Sequence, residues 1–265
     1  MRTLIRCGAL TCAVILGACS SDTSGPDAAT PLLNADIALV AADATAEDVD
    51  VMREPVFFTA MTGFAAGQGD FRPTNCPFDA GSSRLVCPTI THGDITITRS
   101  YAFWDAANAV QQAFDALTTA KANIQSSIEG TRTLPNWEAT VERERDMTAT
   151  GLAGTETQRT WNGTGSTHVT RSKHTDSGPE RSYDLECSVA VVNVVVPVPN
   201  GADAWPLSGT ITRTCTVTFV GGPRDGQTID RTAVVTFNGT QIATLTVGDK
   251  TFDLDLKNRH RGPRP

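Results

Sequence analysis

Arginine is followed by serine or threonine at Arg99, Arg132, Arg159, Arg171, Arg181, Arg213 and Arg231. In five of these cases the residue two places on is Tyr101, Trp161, Tyr183, Cys215 or Ala233, so in an extended chain each Arg shares a face with apolar side chains. An arginine on a core-facing side snorkels to the rim, pairs with a carboxylate, or lines a groove that takes an anion. Pairing is the ordinary outcome. The chemically richer reading puts Arg99, Tyr101, Arg159, Trp161, Arg181, Tyr183, Arg213 and Arg231 on the open inner face of a curved sheet. There an amphiphile with an anionic head would meet cations at the rim and an apolar floor below.

Other residue types offer less. Glu138, Glu142, Glu144 and Asp146 occupy even positions and would share one face of a strand, where a carboxylate pair could act as acid and base or hold calcium. A charged face that blocks edge-to-edge pairing is the simpler account of them. The four histidines are His92, His168, His174 and His260. His168, His174 and Asp176 sit close enough to imagine a metal, but in a segment that reads as a polar turn. The chain contains no H-E-x-x-H, G-x-S-x-G, S-x-x-K or G-x-x-x-x-G-K-[ST] pattern. No catalytic set, metal or cofactor is therefore expected, and a hydrolase with dispersed carboxylates is the least supported reading.

The elements that must position these residues are strands. Thr210 to Phe219 alternates without a break, and Ile229, Arg231, Ala233, Val235 and Phe237 repeat the pattern. Asn238-Gly239 predicts a two-residue turn into a strand Thr240 to Val247, and Gly248-Asp249 leads on to Phe252, Leu254 and Leu256. Earlier strands are expected at Ile95–Trp104, Lys121–Gly130, Trp137–Thr150, Thr155–Trp161 and Ser182–Val196, with Ala106–Leu117 readable as helix or strand. Trp161-Asn162-Gly163-Thr164 reads as a second tight turn. The 38 threonines supply the solvent side of most strands. Asn34 to Glu54 has helical spacing in Ile37, Val40, Ala44 and Val51, and Pro55 to Ser83 reads as irregular packing.

The N-terminus carries an address. Arg2 and Arg6 precede the apolar run Cys7 to Ala18, the layout of a secretory signal. Leu16-Gly17-Ala18-Cys19 resembles the lipobox of bacterial lipoproteins. The resemblance implies that residues 1–18 are removed and Cys19 is acylated, so that lipid holds the chain at the membrane. Position 20 is Ser rather than the Asp that retains such proteins in the inner membrane, which points to the outer membrane of a Gram-negative envelope. Ser20 to Pro31 is rich in Ser, Thr, Asp, Gly, Pro and Ala, and residues 19–33 are expected to be a flexible tether. The phrases Leu207 to Arg213 and Val235 to Thr240 are similar to uncharacterised Thr-rich, β-rich members of that class, a likeness that brings no activity with it.

Once Cys7 and Cys12 leave and Cys19 is acylated, Cys76, Cys87, Cys187 and Cys215 remain. An even number in an exported chain suggests disulfides, with Cys76 to Cys87 and Cys187 to Cys215 the preferred pairing of three. No C-x-x-C spacing and no neighbouring histidine favours zinc instead. The chain has 265 residues with a formal net charge of -7, which loss of Arg2 and Arg6 makes more negative. Such a surface argues against a nucleic-acid partner and is repelled by anionic headgroups. The expectation is a single all-β domain over residues 34–265. It would be an antiparallel meander of roughly eight to ten strands forming a curved sheet, open barrel or sandwich with a short N-terminal helix. Its expected role is a non-enzymatic structural or interaction module of the cell envelope. The alternative is a carrier of an anionic amphiphile, and the partners are the membrane and an envelope protein or amphiphilic ligand.

Overall fold

The structure, a computed structural model, describes residues 26–53, 76–115, 117–134, 137–152, 157–173, 181–198 and 204–257. Among the described residues one α-helix, α1 (Pro26–Arg53), precedes thirteen strands. Nine have six residues or more: β4 (Ile95–Asp105), β6 (Thr119–Leu134), β7 (Trp137–Thr150), β8 (Gln158–Lys173), β9 (Arg181–Pro197), β10 (Ser208–Val220), β11 (Thr228–Thr236), β12 (Ile242–Val247) and β13 (Lys250–Asp255). Four are short: β1 (Phe78–Asp79), β2 (Arg84–Val86), β3 (Ile90–His92) and β5 (Val110–Gln111). All join one curved, open antiparallel sheet in the order β1-β2-β4-β6-β7-β8-β9-β10-β11-β12-β13, with β3 and β5 also paired to β4. The three short pieces β2, β3 and β5 lie in series along the outer edge of β4, so that this long strand does not present an open row of backbone groups.

Alternation sets the two faces. Along β10, Ile211, Arg213, Cys215, Val217 and Phe219 are buried, while the threonines between them face outward. Both cysteine pairs are disulfides: Cys76 to Cys87 closes the β1–β2 hairpin, and Cys187 to Cys215 joins directly opposed residues of β9 and β10. The concave face is filled by α1. Buried positions succeed one another along it, as at Ala41 and Ala42, at Ala44, Thr45 and Ala46, and at Asp48 and Val49. A helix enclosed by a curved sheet has no wide polar face, and alanines let strand backbones come close.

Several sequence expectations are corrected. The helix is longer than expected and starts at Pro26, inside the stretch read as tether. Asn162-Gly163 is not a turn but the middle of β8, because a β-bulge there lets the Asn162 side chain accept a hydrogen bond from the Asn193 backbone N–H at 2.8 Å. Nor does Asn238-Gly239 make a two-residue hairpin. Asn238 instead accepts hydrogen bonds from the backbone and side chain of Thr240 in a five-residue loop, and the two-residue turn is Gly248-Asp249, with Gly248 at φ 59°. His168 is likewise in a strand, while His174, Asp176 and His260 lie outside the described residues, as do residues 1–25 and 54–75. Among the described residues, no helix is long and apolar enough to cross a membrane.

Candidate functional site

Strand register gathers the inward arginines into adjoining rows across the concave face. One row runs Arg99, Ser126, Arg145, Gly165, Val189, Arg213, Ala233. The next runs Ile97, Ile128, Arg143, Thr167, Cys187, Cys215, Arg231. On the far side of the first row every inward residue is apolar or glycine: Tyr101, Ile124, Met147, Gly163, Val191, Ile211 and Val235. The cations thus form a band across the middle of an apolar trough, and α1 lies along it.

The helix supplies the matching carboxylates. Asp48 accepts hydrogen bonds from Arg145 Nε at 2.8 Å and from Arg213 Nη2 at 2.6 Å, and all three side chains are less than 5 % exposed. Arg213 Nη1 also donates to Thr45 Oγ1 at 2.8 Å. Arg143 pairs with Glu47, Arg171 donates to the Asp36 carbonyl at 3.2 Å, and Arg231 donates to the Asn34 side chain at 3.1 Å. Arg145 lies flat against β8 because position 165 is glycine, where a Cβ would stand 2.9 Å from two of its side-chain atoms. From there it also donates to the Ser166 carbonyl at 2.8 Å.

Asp48 serves two buried cations at once. Among the described residues, the direct ion pairs of Arg143, Arg145 and Arg213 go to Glu47 and Asp48. Burial, aided by repulsion from Arg145 and Arg213, pushes Arg143 down to about 9, against the pull of Asp43. Burial likewise pushes Arg213 down to about 10, with Asp48 opposing and Arg145 adding to the shift. Both stay protonated at neutral pH. The Nε atoms of Arg143 and Arg213 are buried without a hydrogen-bond partner among the described residues.

The residues expected to form one amphiphile site do not come together. Arg99, Arg213 and Arg231 fall in the central rows, but Arg213 and Arg231 are engaged by α1. Arg159 pairs in register with Val196 and Arg181 with Lys173, which puts them at opposite ends of the trough, roughly 50 Å apart at ~3.3 Å per residue. Tyr101 and Trp161 are core residues, 3 % and 0 % exposed, and Tyr183 packs edge-on against Phe219 at 5.5 Å. Arg143 and Arg145 do not stand out in the sequence because Arg143 precedes Glu144 and Arg145 precedes Asp146, not Ser or Thr. The signal was present in the odd positions of β7, where Ala139, Val141, Met147 and Ala149 mark the inward face.

Two openings flank the band. On the concave side a cavity of about 280 Å³ lies between α1 and strands β4, β6 and β7, lined by Arg99 and Arg143 and by isoleucine and valine side chains. On the convex side a shallow groove of about 760 Å³ runs over Thr98, Ser127, Glu144, Asp146 and Ser166, overhung by Arg84. Asp146 is occupied there by the Asn123 and Gln125 amides. The even-numbered carboxylates of β7 share this convex face with His168, which is bonded to Asp184 at 2.7 Å and lies 3.7 Å from Glu142. Among the described residues no group of His, Cys, Asp and Glu has the arrangement of a metal site. Comparison of the chain with protein-family models, with curated proteins and with solved structures gives no match.

Proposed function

We propose that the chain is a non-enzymatic, lipid-tethered binding module of the bacterial envelope, with its lipid on Cys19 and its working face on the concave side of the sheet. The observation that carries this reading is the buried clasp of Asp48 with Arg145 and Arg213, which fastens to the sheet the helix that begins seven residues beyond Cys19. A helix in that place couples the anchor mechanically to the whole sheet.

The chemistry of the site also favours binding over catalysis. Catalysis by proton transfer needs a group that titrates near neutrality inside a pocket. The deep polar groups of the trough are arginines that stay charged and are held in ion pairs, whereas the one described histidine with carboxylate neighbours sits on the open convex face. Expression in a Gram-negative host with a clickable fatty acid tests the tether. Labelling of the wild-type chain and recovery with outer-membrane fractions are expected, both lost on Cys19→Ser. Equal labelling or equal fractionation of the two chains would sink the proposal.

A further inference from the structure

We infer that the groove on the convex face of the sheet, floored by β4, β6, β7 and β8 and walled by β2, binds a neutral oligosaccharide about two sugar rings long. This site is additional to the lipid tether and to the concave face, and its failure leaves both untouched.

The groove is set apart by a row of unspent polar groups. Thr98, Ser127, Glu144 and Ser166 are successive cross-strand partners on β4, β6, β7 and β8, and all four line it. Elsewhere on this face opposed polar side chains bond to one another. Thr131 Oγ1 lies 3.4 Å from Thr140 Oγ1, Ser182 donates to Ser172 at 3.3 Å, and Thr216 donates to Asp230 at 2.9 Å. In the groove row none of the four side chains takes part in a hydrogen bond or ion pair among the described residues. The adjoining row, Ser100, Gln125, Asp146 and Thr164, is partly engaged: Arg84 Nε donates to Ser100 Oγ at 2.8 Å and Gln125 donates to Asp146 at 2.9 Å. Arg84 Nη2 reaches the Ser100 carbonyl, which leaves Nη1 uncommitted among the described residues. The Cys76 to Cys87 disulfide closes the hairpin that carries Arg84, so this wall is in place before a ligand arrives.

These groups define the ligand. Glu144 accepts, Arg84 donates, and the hydroxyls of Thr98, Ser127 and Ser166 do both. A molecule that satisfies them all carries donors and acceptors along its whole length, as a chain of sugar hydroxyls does. Among the lining residues Val86 alone has an aliphatic side chain, so neither an alkyl chain nor the apolar side chains of a peptide find a floor. Asp146 is answered by the Asn123 and Gln125 amides and by the charge of Arg84. Glu144 therefore repels an anionic ligand. A cationic sugar is the rival, drawn by Glu144 and opposed by Arg84 from the β2 wall. At ~4.8 Å between strands the row of four is ~14 Å long. The volume of about 760 Å³, at about 30 Å³ per water-sized atom, takes roughly 25 non-hydrogen atoms, the size of a disaccharide.

The test uses residues 19–265 with Cys19→Ser, which contains every described element, and follows its backbone amide shifts in titrations with three neutral disaccharides: cellobiose, maltose and N,N′-diacetylchitobiose. Saturable shifts are expected with at least one, at a dissociation constant of about 1 mM. Chitobiose, which carries two ammonium groups, should bind at least threefold more weakly than the tightest of the three. Glu144→Ala should weaken binding roughly tenfold, as loss of a hydrogen bond to a charged group does. Glu142→Ala removes the same charge one row away, outside the groove, and should leave binding unchanged. Both side chains are exposed, so neither variant endangers the fold. No saturable shift with any of the three, equal loss in the two variants, or tighter binding of chitobiose would each overturn the inference. A chain that is acylated at Cys19 yet binds no disaccharide leaves the tether standing and removes the ligand.

Discussion

Replacing Asp48 with Asn should be among the most damaging single changes in the protein. The substitution keeps the shape of the side chain but removes the carboxylate that pairs directly with both Arg145, at 2.8 Å, and Arg213, at 2.6 Å. Both guanidinium groups are 3 % exposed, so neither can turn to water. Stripping one partner from a buried ion pair costs about 3–5 kcal/mol, most of it the penalty for a buried charge left uncompensated. For a domain of this size that lowers the melting temperature by roughly 6–20 °C. Arg213→Met is the informative comparison. It leaves Asp48 paired one-to-one with Arg145 and removes the repulsion between the two arginines, so its cost should stay below ~2 kcal/mol despite the lost bond to Thr45. Urea unfolding followed by circular dichroism measures both. If Asp48→Asn costs less than Arg213→Met, or less than ~1 kcal/mol, the view that a single carboxylate neutralises two buried cations is wrong.

Gly165→Ala should destabilise by ~1–3 kcal/mol, because the added methyl collides with Arg145 and with the Glu144 carbonyl; chemical denaturation of the variant checks this, and a neutral result would show that Arg145 does not lie across β8. Replacing Cys187 and Cys215 together by Ala should cost about 3.6 kcal/mol from the loop-entropy relation, against about 2.8 kcal/mol for Cys76 and Cys87, since the bridged separations are 28 and 11 residues; a reversed order of melting temperatures under oxidising conditions would contradict it. His168 gives a pH signature. Burial pulls its pKa down, but hydrogen bonds and charge from Asp184 and Glu142 outweigh that and leave it raised from 6.5. A raised folded value means the contribution is complete below the unfolded value and disappears as pH rises through the folded one. The stability gap between wild type and His168→Gln should therefore be present at about pH 5.5 and absent at about pH 8.5; a gap that grows with pH would reverse the assignment.

Much of this architecture could be read from local pattern. Thr210 to Phe219 shows its two faces in its alternation, and the outward threonines and inward Ile211, Val217 and Phe219 follow from it. Turn chemistry was less informative. Asn-Gly is a strong local signal, yet at Asn162 the pull of unbroken pairing with β7 and of pairing with β9 on either side outweighs it, and the dipeptide stays in the strand opposite a bulge in β9. The start of α1 was hidden because Ser, Asp, Gly and Pro suit a tether, and burial against β11 to β13 is a tertiary effect that composition does not report. For the site, the parity of Arg213 and Arg231 correctly placed them inward. What one strand cannot disclose is which rows they join, since register is a property of pairs. The complementary signal was split between distant segments: an alanine-rich helix carrying Asp36, Asp43, Glu47 and Asp48, and strands with arginine on their apolar face. Only folding brings Asp48 and Arg213 together across 165 residues of sequence.

The central claim is a lipid-tethered module, and its most direct test is the intact mass of the protein isolated from a bacterial host with a complete lipoprotein pathway. The account predicts a chain that begins at Cys19, carries acyl mass on that residue, and retains both disulfides, Cys76 to Cys87 and Cys187 to Cys215. A chain that begins elsewhere, or that begins at Cys19 with no added acyl mass, would contradict it.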